Sequence, residues 1–270
     1  MRFTFDHIVH FVEEPSKAIA IFKENGIHAV EGGKHLNYGT YNALSYFDLS
    51  YIEFLSTYDR DLLERTKHLK NSFFETVVRD RYKEGFSRVA IRTTDIEEAA
   101  HYFRKKGLTV NGPVPMNRKR PDGSVIEWKL LYIGDEDEGL ELPFIIQWNE
   151  SDEDRRNQLT EKKAIMPHPA GTTFSHVNFA VKDLKNTVEK WSNWLDLKAG
   201  KEFINEDLQA RCQTIQLPGG NFVFCCPIGD GIVSEALKNQ GEKPFQVNLS
   251  SDKNESAFEL LGGIYTINEH

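Results

Sequence analysis

The chain has 270 residues, which is enough for one large domain or two of ordinary size. Hydrophobic residues make up 39% of it and aromatic residues 11%, so it can bury a sizeable core, and this composition excludes a disordered chain. The formal net charge is −8 and no basic block dominates, so nucleic acid is not an expected partner.

The first predicted elements are a buried strand, FDHIVHFV from Phe5, and a helix after it. Pro15 suits the first turn of that helix because its missing N–H would be unpaired there, and Gly26 suits the C-terminal end. Alternation along the strand places His7 on one face and His10 on the other. We therefore expect His7 to face a cavity and His10 to face the helix.

The same order of elements recurs from Phe86, from Phe174 and from Phe245. Each copy passes from an apolar strand to a helix, and the carboxylates suited to cap the later helices are Asp95, Asp183 and Asp252. Strand-like runs with turn signals follow the first three helices, so the repeated unit is β-α-β-β-β. The fourth copy is predicted to be truncated, with its last strand missing.

Two segments fall outside the repeat. Residues 57–85 are predicted to form an amphipathic helical connector, and the charged, proline-bearing residues 151–171 are predicted to be a domain linker. The chain then divides into a first domain at 1–150, with copies one and two, and a second, truncated domain at 172–270.

Repeated βαβββ units with a histidine at the head of the first strand resemble the vicinal oxygen chelate superfamily, which holds glyoxalases, extradiol dioxygenases and bleomycin-resistance proteins. The resemblance is to its glyoxalase-like domain branch, and the stretches that carry it are DHIVHFV, GGKHLNYGTYNAL, SYIEFL, RKRPDG, LPFIIQW and SHVNFAVKDL. It implies an α+β fold in which paired modules curve into open barrels around a cavity. It does not fix a reaction, because one fold hosts many chemistries.

The resemblance also implies metal-ligand positions on the first and last strands of each unit. His7 and Glu53 hold them in copy one, and together they predict a divalent metal with nitrogen and oxygen donors. In copy two the positions fall to Arg88, which cannot ligate a metal, and Gln147. Arg88 is expected either to pair with Glu53 or to hold an anionic group of a substrate. His176 repeats the first position in copy three but lacks an acidic partner, so we expect it to be structural.

Further substrate contacts are predicted on two turns. His35 and Asn42 either line the cavity or serve the local turn geometry. Three adjacent cations at residues 118–120 precede a Pro-Asp-Gly turn, and Arg120 either reaches an anionic ligand or stays solvated. Trp128 on the following strand would form an apolar wall.

The surroundings of the protein are predicted from what the sequence lacks. It has no signal pattern and no apolar run of membrane-spanning length. Its three cysteines form neither a disulfide framework nor a zinc spacing, which favours a reduced, cytoplasmic location. No nucleotide cofactor is expected. The open sheet edge left by the fourth copy predicts a covering partner chain, forming a homodimer.

Together these residues predict a glyoxalase-like protein that acts on a small polar or carbonyl-containing molecule in the first domain. Glu53 would act as base or metal ligand, and His7 as ligand or hydrogen-bonding partner, in lyase, isomerase or dioxygenase chemistry. The alternative is a non-catalytic, drug-sequestering binder of the same fold, in which Arg88 neutralises Glu53.

Overall fold

The computed structural model describes residues 2–66, 68–135, 139–253 and 255–269. Its strands form two sheets, one an eight-stranded closed barrel and the other an open sheet of seven strands. The predicted α+β fold of paired βαβββ modules is confirmed, although the first pair closes completely where an open barrel was expected. Within the described ranges no helix is both long enough and apolar enough to cross a membrane.

Copies one and two build the barrel. The first unit comprises β1 (Thr4–Phe11), α1 (Pro15–Glu24), β2 (Val30–His35), β3 (Thr40–Phe47) and β4 (Ser50–Thr57). The connector supplies α2 (Arg60–Arg65) and α3 (Phe73–Arg79). The second unit comprises β5 (Gly85–Arg92), α4 (Ile96–Lys105), β6 (Thr109–Lys119), β7 (Val125–Gly134) and β8 (Phe144–Trp148). The strand order is β1-β4-β3-β2-β6-β7-β8-β5, and β5 returns to pair antiparallel with β1.

Copies three and four build the open sheet. After α5 (Asp152–Glu161), the third unit comprises β9 (Thr173–Ala180), α6 (Leu184–Leu195), β10 (Phe203–Asn205), β11 (Ala210–Ile215) and β12 (Asn221–Pro227). The fourth follows α7 (Ile232–Gln240) and comprises β13 (Lys243–Ser251), β14 (Ser256–Leu260) and β15 (Gly263–Glu269). The strand order is β10-β11-β12-β9-β13-β15-β14, so β10 and β14 are the edges.

The prediction of a helix in the fourth copy is wrong. Residues 256–260 form β14, and Asp252 caps no helix. A five-residue segment is too short for a stable helix, whereas the hairpin with β15 stacks Phe258 on Tyr265 with ring centroids 5.3 Å apart. The last strand is also present, because β15 pairs parallel with β13 as β4 does with β1.

The helix ends follow the predicted local chemistry. The Asp95 and Asp183 carboxylates accept hydrogen bonds from backbone N–H groups three residues later. Beyond the helix ends, Gly26 and Gly107 adopt positive φ values of 69° and 84°. In the third copy Asp196 takes the left-handed conformation at φ 54°, so a non-glycine residue performs the same termination.

Both ends of the barrel are filled by segments outside the repeat. At one end, α3 buries Phe73, Phe74 and Val77 in the core of the barrel. At the other end α5, which lies inside the predicted linker 151–171, buries Arg155 and Leu159. The linker prediction missed this helix, which joins the two sheets and also covers the barrel.

The two sheets pack directly against each other. His10 points away from the barrel interior, as expected, but its hydrogen-bonding partners belong to the second sheet. Its Nδ1 lies 2.7 Å from the hydroxyl oxygen of Tyr265, and its Nε2 lies 3.0 Å from the carbonyl oxygen of Leu261. Phe5 stacks on Phe174 across the same interface, with ring centroids 4.8 Å apart. His10 is therefore part of the packing between the sheets.

Candidate functional site

A buried polar layer crosses the middle of the barrel, and His7 and Glu53 lie at its centre. Parallel pairing of β1 with β4 brings them together, since Val9 and Glu53 are register partners. His7 Nε2 lies 3.5 Å from Glu53 Oε2, and the two residues are 3% and 7% exposed. Tyr51 stacks on the His7 ring on one side at 4.5 Å, and Phe144 meets it edge-on at 5.4 Å. The two predicted site residues therefore face each other in a dry environment.

Asn42 extends the layer to the next strand. Its Nδ2 donates a 2.5 Å hydrogen bond to Glu53 Oε1, which leaves Oε2 of the carboxylate facing His7. The Oδ1 atom of Asn42 accepts a 3.1 Å hydrogen bond from Arg118 Nη1. Arg118 was predicted only as one of three cations of a turn, but it is 5% exposed and points inward. The Asn42 amide thus links the buried positive charge of Arg118 to the Glu53 carboxylate.

Asp6, which was not among the predicted site residues, supports the other side of His7. Its Oδ1 accepts a 2.7 Å hydrogen bond from His7 Nδ1, and its Oδ2 accepts one from Trp148 Nε1 at 3.0 Å. Burial alone would raise the pKa of Asp6, but Arg155, the hydrogen bond with His7 and the charge of Arg92 lower it to about 2. Asp6 is therefore a carboxylate at neutral pH, and it leaves His7 Nε2 facing Glu53.

His35 and Trp128 form the wall of the layer beside Arg118. His35 Nδ1 lies 3.0 Å from Thr40 Oγ1, and its ring meets Trp128 edge-on at 5.8 Å. Burial, together with the charge of Arg118, lowers the pKa of His35 to about 3, so its imidazole is neutral at pH 7. The predicted His35, Asn42 and Trp128 are all buried around this part of the barrel.

Arg88 does not pair with Glu53, which corrects one of its two predicted roles. Its Nε and Nη2 donate to the carbonyl oxygen of Leu142 at 3.2 and 2.5 Å, and its Nη1 donates to that of Asn71 at 2.5 Å. Because Asn71 precedes α3, these bonds tie the connector to the barrel wall. Backbone carbonyls, rather than a carboxylate, satisfy this buried guanidinium.

Two further predicted contacts point elsewhere. Gln147 Oε1 accepts a 2.8 Å hydrogen bond from the backbone N–H of Ile96, so the side chain serves the start of α4. Arg120 is half-buried, and its Nη1 lies 3.5 Å from Ser124 Oγ within its own turn. The structure therefore brings His7, Glu53 and Asn42 together in one buried polar layer without Gln147 or Arg120.

Comparison with known families identifies the chain. The glyoxalase-like domain family matches residues 5–195, which covers the barrel, α5 and the first elements of the open sheet. The chain belongs to the glyoxalase-like domain family. This confirms the resemblance to the vicinal oxygen chelate superfamily that the repeated units suggested.

Solved structures resemble this glyoxalase-like protein over most of its length. A hypothetical protein from Staphylococcus aureus is 25% identical with a TM-score of 0.81, and the match covers 99% of this chain and 100% of that one. A triple mutant of 4-hydroxymandelate synthase from Streptomyces coelicolor is 10% identical with a TM-score of 0.61, and the match covers 94% of this chain and 72% of that one. The second likeness concerns the fold alone. Comparison with curated proteins gives no match.

The donor set of this glyoxalase-like domain does not fit a tightly held divalent metal. Among the described residues no group of three or more His, Cys, Asp or Glu side chains is placed to bind one. His7 and Glu53 offer two donors, and the other implied positions, Arg88 and Gln147, hydrogen-bond to the backbone elsewhere. Catalytic zinc sites, for comparison, use three protein ligands. The groups of the layer that can take part in chemistry are therefore its own acid and base side chains.

Proposed function

We propose that the His7–Glu53 pair is an acid–base site that moves a proton on a small polar, carbonyl-containing molecule. The observation that carries the proposal is the 3.5 Å approach of His7 Nε2 to Glu53 Oε2 inside the barrel. An imidazole and a carboxylate that face each other in this way can serve as a general acid and a general base. Membership of a family whose superfamily includes enzymes supports the same reading.

In this proposal Glu53 takes a proton from the carbon beside the carbonyl group. The C–H electron pair moves into the new carbon–carbon double bond, and the carbonyl oxygen gains negative charge, which His7 Nε2 stabilises by donating a hydrogen bond or its proton. Glu53 then returns its proton to carbon, and a proton that His7 gave to the oxygen returns to Nε2 as the carbonyl group re-forms, so the enzyme ends unchanged. Asp6 supports the imidazolium through Nδ1, and Asn42 holds the Glu53 carboxylate in place.

Access to the pair requires one end of the barrel to open. Phe73 of α3 stacks on Phe144 at 5.4 Å, and Phe144 in turn contacts His7. A ligand that displaced α3 would reach His7 directly, and its closure over the ligand would exclude water from the reacting groups. The Arg88 bonds to the connector would hold the closed position.

The test is hydrogen exchange of carbonyl compounds in D₂O. The full-length protein is incubated with a panel of α-oxo acids, α-hydroxy ketones and aldehydes, and the loss of each α-proton signal is followed by proton NMR. We expect Glu53→Gln to slow the exchange by about a hundredfold or more while leaving the fold intact by circular dichroism. Glu31→Gln, which changes an exposed carboxylate on β2, is the matched control.

The alternative function, a non-catalytic binder, is an outcome of the same experiment. Compounds that bind the protein but keep their α-protons would support the binder and refute the acid–base proposal. Unchanged exchange in the Glu53→Gln variant would also refute it. Metal analysis of protein purified without chelators adds an independent check, since one equivalent lost in a His7→Ala variant would contradict a metal-free site.

A further inference from the structure

We propose that the open sheet carries a second binding site, for a neutral, polyhydroxylated small molecule such as a sugar or sugar alcohol. The site is the sheet face opposite α6, which we call the amide face. Its central residues are His176, Asn178, Asn221, Gln246, Asn248, Thr266 and Asn268. The proposal is independent of the barrel site, because none of its residues belongs to the barrel.

Alternation along the strands separates this face from the core. Phe179 packs on Trp191 of α6 with ring centroids 5.6 Å apart, so its neighbour Asn178 lies on the opposite side of β9. The same holds for Thr266, which lies between the buried Tyr265 and Ile267. Side chains from several strands then line one cavity of about 350 Å³, which lies within the size range of small-molecule sites.

Two asparagine side chains in the cavity each use only one of their two polar atoms in a hydrogen bond with a described residue. Asn178 Nδ2 donates a 2.6 Å hydrogen bond to Gln246 Oε1, but no described residue hydrogen-bonds to its Oδ1. Asn248 Oδ1 accepts a 2.5 Å hydrogen bond from Thr266 Oγ1, but its Nδ2 finds no partner among the residues that the structure describes. Both asparagines are more than nine-tenths buried, at 3% and 5% exposed. Because an unpaired buried polar atom costs free energy, these atoms indicate a ligand rather than packing.

The electrostatics of the cavity favour a neutral ligand. Within the described part of the chain, no lysine or arginine lines the cavity, so these residues offer an anion no counter-charge. Burial lowers the pKa of His176 to about 4, so this histidine is uncharged at pH 7. Among the described residues that line the cavity, the one carboxylate is that of Asp207, which is exposed. A phosphate or carboxylate ligand is therefore disfavoured.

The hydrogen-bonding groups of the cavity further indicate the chemical class of the ligand. An amide presents a donor and an acceptor together, and a hydroxyl group does the same, so closely spaced amides match a molecule with adjacent hydroxyls. Asn178 offers a free acceptor, and Asn248 offers a free donor. Phe203 lines the same cavity and is 43% exposed, so it offers an apolar surface for the C–H face of a ring.

The test is direct binding to the full-length protein, measured by isothermal titration and saturation-transfer NMR. The probes are neutral monosaccharides, disaccharides, inositol and sugar alcohols, with sugar phosphates and nucleosides as comparison compounds. We expect a neutral polyol to bind with one-to-one stoichiometry. Asn178→Leu and Asn248→Leu, which keep side-chain size, are each expected to weaken that binding about tenfold or more.

Controls separate this site from the barrel and from general effects of substitution. Asn157→Leu, at an exposed position of α5, and Glu53→Gln should both bind the polyol like the unchanged protein. If Asn248→Leu fails to fold, the Thr266→Val variant takes its place in the test. This substitution replaces one hydroxyl group and removes the hydrogen bond that Asn248 Oδ1 accepts.

Three results would overturn the proposal. One is that no neutral polyol binds at millimolar concentration. Another is that polyol binding persists unchanged in both asparagine variants. The third is that only the phosphorylated or nucleoside probes bind, which would show that the charge and hydrogen-bond argument assigns the wrong ligand class.

Discussion

Asp6 is expected to hold the α5 end of the barrel together, and Asp6→Asn tests this. The carboxylate lies 3.8 Å from Arg155 and 3.9 Å from Arg92, and it is fully buried. Arg155 is 5% exposed, and its Nη2 has no hydrogen-bond partner in the described ranges of the chain. Asparagine keeps the shape and an acceptor for Trp148 but leaves the guanidinium without its counter-charge. Breaking a buried pair in this way costs about 3–5 kcal/mol of unfolding free energy.

The effect has a pH dependence whose sign follows from the lowered pKa. A carboxyl group whose pKa falls from 3.8 to about 2 on folding contributes about 2.4 kcal/mol to stability once it is ionised in both states. That contribution is complete above about pH 5 and is lost as the pH falls towards the folded value. By about pH 3 the wild-type protein has lost about 1.1 kcal/mol of this contribution to its stability. The Asp6→Asn variant lacks the carboxyl group and therefore has no such contribution at any pH.

Urea unfolding of both proteins at about pH 7 and about pH 3 measures these quantities, with the other carboxylates cancelling in the difference. The matched control is Asp48→Asn, which breaks an ion pair with Arg156 whose side chains are 59% and 43% exposed and should cost about 0–1 kcal/mol. A difference between wild type and Asp6→Asn below about 1 kcal/mol at neutral pH would refute the reasoning, as would a difference that grows on acidification.

Three further predictions concern packing. Tyr265→Phe removes the buried hydroxyl partner of His10 and should lower the free energy of unfolding in urea by about 1–3 kcal/mol. An unchanged unfolding midpoint would show that this bond does not contribute to stability. Gly263→Ala places a methyl group 2.7 Å from His10 Cε1 and 2.9 Å from Phe86 Cζ, so it should lower the free energy of unfolding by about 1–3 kcal/mol. An unchanged free energy of unfolding would mean that the sheets separate easily. The three cysteines are buried, so a thiol reagent should label none of them in the native state and all of them in urea; rapid native labelling would contradict this packing.

Local signals explain why most of the fold could be predicted. The caps at Asp95 and Asp183 and the glycines after the first two helices act within a few residues, so the sequence displays them directly. The fourth copy failed because Asp252 and an apolar stretch imitate the start of a helix. Its true state depends on pairing with β13 and on contact with Tyr265, and neither is visible in the local pattern.

The site was predictable only in part, for a related reason. Strand alternation separated His7 from His10, and the first and last strands of the unit, which the resemblance singled out, pair and bring Glu53 beside His7. Asp6 was missed because alternation points it away from His7, whereas an irregularity in the β1–β5 pairing between Phe5 and His7 lets both side chains meet. The predicted pairing of Arg88 with Glu53 was wrong because the partners of Arg88 are backbone carbonyls, which no side-chain motif reveals.

The contrast between the two sheets shows how one repeated unit supports two kinds of site. In the barrel, pairing of β2 with β6 completes the circle, and α3 and α5 fill the ends, so the polar layer is sealed from water. In the open sheet β10 and β14 stay apart, and the amide face remains accessible. Sealing favours proton chemistry, whereas an open polar cavity favours reversible binding. If both proposals hold, Glu53→Gln should abolish α-proton exchange without affecting polyol binding, and Asn248→Leu should do the reverse. Because no residue is shared between the sites, the double variant should show both losses without coupling; a double variant whose losses differ from the sum would require communication between the sheets.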